Sequence, residues 1–206
     1  MQYLQIHPVN PQPRLISQAV AIVRNGGVIV YPTDSCYALG CQIGDKTAME
    51  RIQRLRKLDA THNFTLMCRD LSDLSAYARV GNQEFRLLKS LTPGPYTFIL
   101  TASHEVPRRL QNPKRKTIGL RIPGQPITHA LLEALDEPLM SVTLILPDSP
   151  RPLTDPEEMR ERLGNQVDAI IDGGSCGSEP TSIIDLTGES PRLIRQGKGD
   201  TSFLTA

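Results

Sequence analysis

The sequence predicts a single α/β domain over residues 1–206, with a largely buried mixed sheet and helices on both faces. Strand and helix patterns alternate along the whole chain, which is typical of this class. No linker, internal repeat or low-complexity segment interrupts the alternation. Two apolar runs stand directly on either side of Thr33-Asp34-Ser35, and consecutive strands of this kind indicate a mixed rather than an all-parallel sheet.

Helices are predicted where apolar residues recur every three or four positions and capping signals mark the ends. The first follows Pro13 and ends at Gly26-Gly27, and the second begins at the capping residue Asp45. A later helix begins at Asp155, with proline in its first turn and acidic residues at its positive end. The remaining helical segments are 70–74, 82–91 and 126–135.

Strands are predicted from short apolar or alternating runs bounded by turn residues. The first run, 28–31, is stopped by Pro32, which has no amide hydrogen to continue a ladder. The other predicted strands are 37–43, 64–68, 96–101, 117–122, 139–146, 167–172, 182–186 and 192–195.

Composition and charge are those of an ordinary globular protein. The chain is 39% hydrophobic and 22% charged, which argues against disorder. Its 23 basic and 22 acidic residues give a net charge of +1, so a nucleic-acid surface would have to come from clustered charge. The first residues lack the pattern of a signal peptide, and no apolar run approaches the ~20 residues of a membrane span. We expect a cytoplasmic protein without a membrane partner.

Standard catalytic and cofactor signatures are absent from the sequence. It contains no G-x-x-x-x-G-K-[ST], no G-x-G-x-x-G and no G-x-S-x-G motif. The histidines are scattered and the cysteines show no metal-ligand spacing, so we predict no metal site. Cys36, Cys41, Cys68 and Cys176 are expected to be reduced. Cys36 could act as a nucleophile, but no histidine lies near it in sequence and a buried thiol is inert.

A polar elbow, Thr33-Asp34-Ser35, is the strongest candidate for a site. It places two hydroxyls and a carboxylate at the carboxyl end of a buried strand. Open α/β sheets bind their ligands at such ends. The alternative interpretation is an ordinary capped turn, which is the commoner role of strand-end elbows.

Basic side chains and a glycine-rich loop indicate an anionic ligand. Arg56, Lys57, Arg121 and Arg195 stand at the ends of predicted elements, where their charges could converge on a phosphate. The backbone amides of the glycine-rich loop 173–178 could form an anion-binding nest. Alternatively, the cations are solvated surface groups and the loop is a plain connection. The residues alone therefore predict an anion or nucleotide site built from several strand ends.

Several segments together resemble the YrdC/YciO family and follow its order across nearly the whole chain. They are VIVYPTD and YALGC in 28–41, TPGPYT at 92–97, GLRIP at 119–123, VDAIIDGG at 167–174 and TSIIDL at 181–186.

The resemblance implies a three-layer α/β/α YrdC-like fold with a twisted mixed sheet and a concave basic face that binds double-stranded RNA or tRNA. It also implies synthesis of threonylcarbamoyl-AMP from threonine, bicarbonate and ATP, for the modification of tRNA adenosine. ATP is then a substrate, Mg²⁺ its companion cation and pyrophosphate the leaving group. Such chemistry rests mainly on positioning and on cations at the phosphates. The oligomeric state stays open.

The family pattern, carried over to this sequence, implies a set of residues for each ligand. The resemblance assigns threonine binding to Thr33, Arg121, Ser141 and Thr181. Nucleotide binding falls on Arg56, Lys57, Thr117, Thr143 and Arg195, of which Arg56 and Thr143 are also the catalytic candidates. RNA binding falls on Arg54, Lys114, Arg115 and Lys116.

Two motifs depart from the family pattern. The family's Lys-x-Arg is Arg56-Lys57-Leu58 here, and its Ser-x-Asn is Thr143-Leu144-Ile145. Loss of two phosphate contacts at ~1.5–3 kcal/mol each slows turnover by roughly 10²–10⁴-fold. We therefore expect a slow synthase. The alternatives are an RNA-binding protein without efficient catalysis, motivated by the basic runs 108–109 and 114–116, and a regulator that binds a nucleotide without turnover.

Overall fold

The computed structural model describes residues 1–59 and 62–204, which form ten strands and six α-helices. The strands are β1 (Gln2–Gln5), β2 (Ile29–Tyr31), β3 (Ala38–Gln42), β4 (Thr65–Met67), β5 (Tyr96–Thr101), β6 (Thr117–Arg121), β7 (Leu139–Thr143), β8 (Ala169–Asp172), β9 (Ser182–Asp185) and β10 (Arg192–Arg195). The helices are α1 (Pro13–Arg24), α2 (Lys46–Arg56), α3 (Leu71–Tyr77), α4 (Asn82–Leu91), α5 (Pro126–Leu135) and α6 (Pro156–Leu163). Short 3₁₀ turns lie at Arg108–Leu110, Gly164–Gln166 and Ser202–Leu204.

All these strands belong to one mixed sheet, in the order β1-β8-β2-β3-β7-β4-β6-β5-β9-β10. Strand β8 pairs in parallel with β1 and β2, and parallel pairing also joins β4 to β6 and β5 to β9. The other neighbours are antiparallel. The mixed sheet that the sequence predicts is therefore confirmed.

Strand β1 has no counterpart in the sequence prediction. Its two glutamines are exposed and only Leu4 is buried. The strand forms because Gln2–Gln5 pairs residue by residue with Ala169–Asp172 of β8. A short edge strand of this kind depends on its neighbour more than on its own residues, so its sequence carries little signal.

Helices cover both faces of the sheet, as predicted. Helices α1 and α5 pack together on the half of one face formed by β1, β8, β2 and β3. Helices α2, α3, α4 and α6 pack on the opposite face, against the larger apolar core. The predicted caps are present, since Asp45 accepts from the Ala48 amide and Asp155 from the Glu157 amide. None of the helices in the described part of the chain is long and apolar enough to cross a bilayer.

One row of paired residues crosses the sheet and shows which residues share a face. Residues that are paired across neighbouring strands project to the same face. On the half that α1 and α5 cover, this row contains Ala169, Ile29 and Gly40. It continues across β7, β4, β6, β5 and β9 as Ser141, Thr65, Gly119, Ile99 and Asp185. Small or hydroxyl-bearing residues thus line the middle of this face, at Ser141, Thr65 and Gly119.

Asp185 ends this series and ties the basic loop 108–116 to the sheet. Its side chain is 3% exposed and accepts from Arg115 Nη2 at 2.7 Å. It also accepts from the Thr187 hydroxyl at 2.6 Å and the Thr187 amide at 3.0 Å. Burial opposes ionisation, but the hydrogen bonds from Thr187 and Arg115 outweigh it and lower the pKa of Asp185 to about 2. The ionised carboxylate therefore stabilises the fold at neutral pH.

We expect Asp185→Asn to lower the free energy of unfolding at pH 7 by about 2 kcal/mol. The pKa rises from about 2 in the folded chain to its ordinary 3.8 on unfolding, so the stabilisation is complete above that value and is lost as the pH falls toward 2. Urea unfolding of both proteins between about pH 7 and pH 3 measures this. A stability difference that stays constant as the pH falls would contradict the assignment.

Candidate functional site

The elbow after β2 is a turn that Thr33 organises. The Thr33 hydroxyl accepts from the amides of Ser35 at 3.1 Å and Cys36 at 3.2 Å, and it donates to the Cys36 carbonyl at 2.6 Å. A Thr hydroxyl that bonds nearby backbone groups in this way fixes a turn. Thr33 thus caps a turn, and the turn fixes the orientation of Asp34 and Ser35.

Arg121, at the end of β6, lies against this elbow. Its side chain is 6% exposed, and its Nη2 donates to Asp34 Oδ1 at 2.5 Å and to Ser35 Oγ at 3.2 Å. The second Asp34 oxygen accepts from the Gly124 amide at 2.8 Å. Arg121 Nε is buried and has no hydrogen-bond partner within residues 1–59 and 62–204. A buried donor without an acceptor is costly, so the hydrogen bonding of Arg121 is incomplete.

Arg195 and Thr181 lie on the same side of the sheet as Arg121. The Arg195 side chain donates to the Thr181 carbonyl through Nε at 3.2 Å and Nη2 at 2.9 Å. The Thr181 hydroxyl lies 2.8 Å from that of Thr97. Partial desolvation lowers the pKa of Arg195, and the nearby charge of Arg121 also lowers it. The two guanidinium groups are therefore within electrostatic reach, and the structure brings Thr33, Arg121, Thr181 and Arg195 together.

Ser141 and Thr117 lie on the same face as Arg121. The Ser141 hydroxyl is buried and lies 2.6 Å from the Tyr31 hydroxyl. Thr117 lines a cavity of about 180 Å³ formed over β4, β6, β5 and β9, together with Thr65, Thr97 and Arg115.

Gly119 keeps this cavity open. A Cβ at Gly119 would lie 3.0 Å from Thr65 Oγ1 and 3.4 Å from Thr97 Cγ2. A larger side chain at this position would therefore project into the space above β6.

The two motifs that depart from the family pattern meet at the end of β7 that pairs with the start of β3. Arg56 Nη1 donates to the Ile145 carbonyl, its Nε is buried without a partner among the described residues, and burial lowers its pKa. The Thr143 carbonyl accepts from the Ile145 amide at 3.0 Å. Arg56 and Thr143 are thus neighbours, while Leu58 packs against the apolar core. No contact within the described residues joins Arg56 to Arg121.

The Lys57 side chain lies on a different surface from Arg56 and Thr143. It caps the end of α2 in the left-handed conformation, with φ 50°, and its side chain is exposed. Together with Arg54 it lines a groove between α2 and the segment that follows β7. The two neighbouring cations Arg56 and Lys57 therefore serve different surfaces.

The predicted RNA-binding residues also divide between two places. Lys114 and Lys116 are exposed on the loop before β6. Arg115 between them is held by Asp185 and by the Thr187 hydroxyl, both at 2.7 Å. Arg54 lies in the groove beside Lys57.

The glycine-rich loop packs against the elbow. The Gly174 amide donates to Asp172 at 2.8 Å and the Gly173 amide to the Tyr37 hydroxyl at 3.2 Å. These two amides are already bonded, which supports the plain-connection interpretation for this part of the loop. The Cys176 thiol donates to the Thr33 carbonyl at 3.0 Å. No three His, Cys, Asp or Glu side chains converge as metal ligands within residues 1–59 and 62–204.

Lys198 is a site residue that sequence reasoning missed. Its Nζ donates to the Asp34 carbonyl at 2.5 Å, although the two residues are 164 positions apart. The only sequence signal is its place between two glycines, Gly197 and Gly199, in the loop after β10.

The chain belongs to the Sua5/YciO/YrdC family. The sequence profile of this family, described as telomere recombination, matches residues 21–197. The matched range contains the elbow, Arg121, Thr181 and Arg195.

Within the family the chain is similar to YciO of Escherichia coli K12, with 62% identity over 199 residues that make up 97% of each chain. The E. coli YciO crystal structure superimposes with a TM-score of 0.94 over 98% of each chain. Threonylcarbamoyl-AMP synthase of Klebsiella pneumoniae is 30% identical over 187 residues, 88% of this chain and 95% of that one. The crystal structure of P. abyssi Sua5 complexed with L-threonine matches with a TM-score of 0.88 and 25% identity, over 96% of this chain and 58% of that one.

Cys36 is expected to be unreactive. Burial raises the pKa of its thiol to about 11 from an ordinary 9.0, so at pH 8 its thiolate fraction is about 100-fold below that of an exposed cysteine. We expect alkylation of Cys36 by iodoacetamide to be slower by at least that factor and to accelerate as the pH rises. Mass spectrometry of the labelled peptide checks this, with urea-unfolded protein as the control. Rapid labelling of the folded chain at pH 7 would instead indicate an activated nucleophile.

Proposed function

We propose that this chain is a slow threonylcarbamoyl-AMP synthase, a nucleotidyltransferase that converts threonine, bicarbonate and ATP to threonylcarbamoyl-AMP and pyrophosphate for tRNA modification. The observation that carries the proposal is Arg121, a buried guanidinium beside the hydroxyls of the elbow whose Nε has no acceptor in the described chain. A carboxylate beside this guanidinium would form a charge-assisted hydrogen bond with it. A relative named as this synthase and a relative complexed with L-threonine support the choice of ligand.

Each group of residues has a proposed role. Arg121 binds the threonine carboxylate, and Thr33, Ser141 and Thr181 shape the surrounding pocket. Thr117 and Arg195 contact the nucleotide, with the cavity above Gly119 beside them. The carboxylated amine attacks the α-phosphorus, and pyrophosphate leaves. Mg²⁺ would enter with the triphosphate and neutralise its charge.

Slow turnover is expected from the contact that Arg56 already makes and from the residue at position 58. In this chain its guanidinium donates to the Ile145 carbonyl and is partly buried, and an apolar Leu58 stands where the family has a second cation. Loss of two charged or polar contacts to phosphate, at positions 58 and 145, corresponds to a rate roughly 10²–10⁴-fold below that of an intact site. Thr143 and Arg56 remain as the groups nearest the expected phosphates.

We place the protein in the cytoplasm on the basis of its thiols. All four cysteines are unpaired, and three of them are buried. A chain with four free cysteines suits a reducing compartment, where ATP and tRNA are also present.

The proposed reaction predicts pyrophosphate release from ATP that requires both L-threonine and bicarbonate. Arg121→Ala should reduce it by about 100-fold or more, because the carboxylate loses its charged partner. Circular dichroism of the variant checks that the loss does not come from unfolding. Release that is independent of threonine, or equal in the Arg121 variant, would overturn the proposal.

A matched variant tests the explanation for slow turnover. Leu58→Arg combined with Ile145→Asn restores the last residue of each family motif, so the rate should rise by roughly 10²–10⁴-fold if only these phosphate contacts are missing. A rate that does not change would place the limitation elsewhere in the site.

RNA binding without efficient catalysis is the second candidate, and the groove along α2 favours it. Four cations, Arg51, Arg54, Lys57 and Arg162, line a cavity of about 790 Å³ there. Arg51 pairs with Asp168 and Arg162 with Asp148. Arg54 and Lys57 form no ion pair within the described residues, and Arg54 donates only to the Glu50 carbonyl. Unpaired cations in an open groove suit a phosphate backbone.

For this second candidate we expect the affinity for a 20-base-pair RNA duplex to fall steeply with KCl concentration. Replacing Arg54 and Lys57 by Gln should reduce the slope of log K against log [KCl] by about 2, since each phosphate contact contributes roughly 0.9. Fluorescence anisotropy measures the slope. As the matched control, a second variant with Lys114 and Lys116 replaced by Gln removes the same charge from the other basic surface. An unchanged slope in the Arg54 and Lys57 variant would exclude the groove.

A further inference from the structure

The loop after β10 is held rigidly against the start of β9. The Ser182 hydroxyl donates to the Gly199 carbonyl at 2.6 Å and accepts from the Gly197 amide at 3.0 Å. The Lys198 amide donates to the Pro180 carbonyl at 2.9 Å. These bonds fix the backbone on both sides of Lys198.

Close contacts make both flanking glycines necessary. A Cβ at Gly197 would collide with the Pro180 and Thr181 carbonyls, and a Cβ at Gly199 would collide with the Tyr96 ring. Lys198 is therefore the one residue of Gly197-Lys198-Gly199 that can carry a side chain. The packing of the loop directs this side chain toward the elbow.

The Lys198 ammonium and the Arg121 guanidinium contact the same elbow residue. Arg121 binds the Asp34 carboxylate, while Lys198 donates to the Asp34 main-chain carbonyl at 2.5 Å. Within residues 1–59 and 62–204 no carboxylate lies within ion-pair distance of Lys198. Lys198 is thus a cation beside the candidate site whose protein partner is a neutral carbonyl.

The charges around the elbow suit a ligand with two negative groups. Arg121, Arg195 and Lys198 are cations, and Asp34 is the carboxylate that contacts Arg121. These groups leave two positive charges. An N-carboxylated amino acid carries two negative charges, one on its own carboxylate and one on the new carbamate.

We propose that Lys198 binds the carboxylate that forms on the amine of the substrate, while Arg121 binds the carboxylate that the amino acid already has. This inference rests on the proposed function and assigns the bicarbonate-derived group to a residue. In the first step the amine nitrogen forms a bond to the bicarbonate carbon and a C–O bond breaks, so that amine and bicarbonate give carbamate and water. In the second step a carbamate oxygen forms a bond to the α-phosphorus of ATP, and the bond to pyrophosphate breaks. Lys198 supplies charge in both steps and transfers no proton.

Calorimetry of L-threonine binding, with and without bicarbonate in CO₂-depleted buffer, tests this assignment. In the unaltered chain, bicarbonate should strengthen threonine binding by about tenfold, because it adds a charge-assisted hydrogen bond. Lys198→Met should abolish this strengthening while the affinity for threonine alone changes by less than about twofold. Lys198→Arg should retain part of it, and Lys114→Met, which removes an exposed lysine elsewhere, should retain all of it.

The outcomes separate the two proposals. If the unaltered chain does not bind threonine, the proposed function fails, and this inference fails with it. If threonine binds but bicarbonate has no effect, or if Lys198→Met keeps the full effect, the assignment of Lys198 is overturned while the threonine site stands.

Discussion

The ion pair between Asp34 and Arg121 is the interaction on which the site depends. Asp34 accepts from Arg121, from the Gly124 amide and, through its main-chain carbonyl, from Lys198. It therefore joins the elbow after β2 to the end of β6, to the segment before α5 and to the loop after β10. A buried ion pair stabilises a protein only when its remaining polar atoms are also satisfied. Arg121 Nε has no partner within the described residues, so the hydrogen bonding of this ion pair is incomplete.

This arrangement is preorganised. The Thr33 hydroxyl fixes the turn, the two glycines at 197 and 199 fix the loop that carries Lys198, and Thr181 holds Arg195 through its main-chain carbonyl. Cations that are already oriented need little rearrangement when charge develops on a substrate. The threonine end of the proposed site therefore has the rigidity that positioning chemistry requires.

The phosphate end is built differently. Arg56 is directed to the Ile145 carbonyl, Leu58 belongs to the apolar core, and Lys57 turns into the groove along α2. The family relationship and the likeness to YciO extend over nearly the whole chain, while identity to a named synthase is 30%. The proposed phosphate contacts can change while the elbow and Arg121 keep theirs, because no hydrogen bond or ion pair of the described residues joins Arg56 or Thr143 to Asp34 or Arg121.

The sequence by itself determined the helices, nine of the ten strands and the mixed character of the sheet, since apolar periodicity, caps and proline stops are local signals. It did not predict β1, which exists through its pairing with β8. Motif resemblance singled out Thr33, Arg121, Thr181 and Arg195, but their proximity is a result of strand order and register. Only the tertiary structure separated Lys57 from Arg56, through a left-handed residue at the end of α2, and brought Lys198 to Asp34. Contacts across 164 residues depend on how the whole sheet is assembled, and no local pattern contains that information.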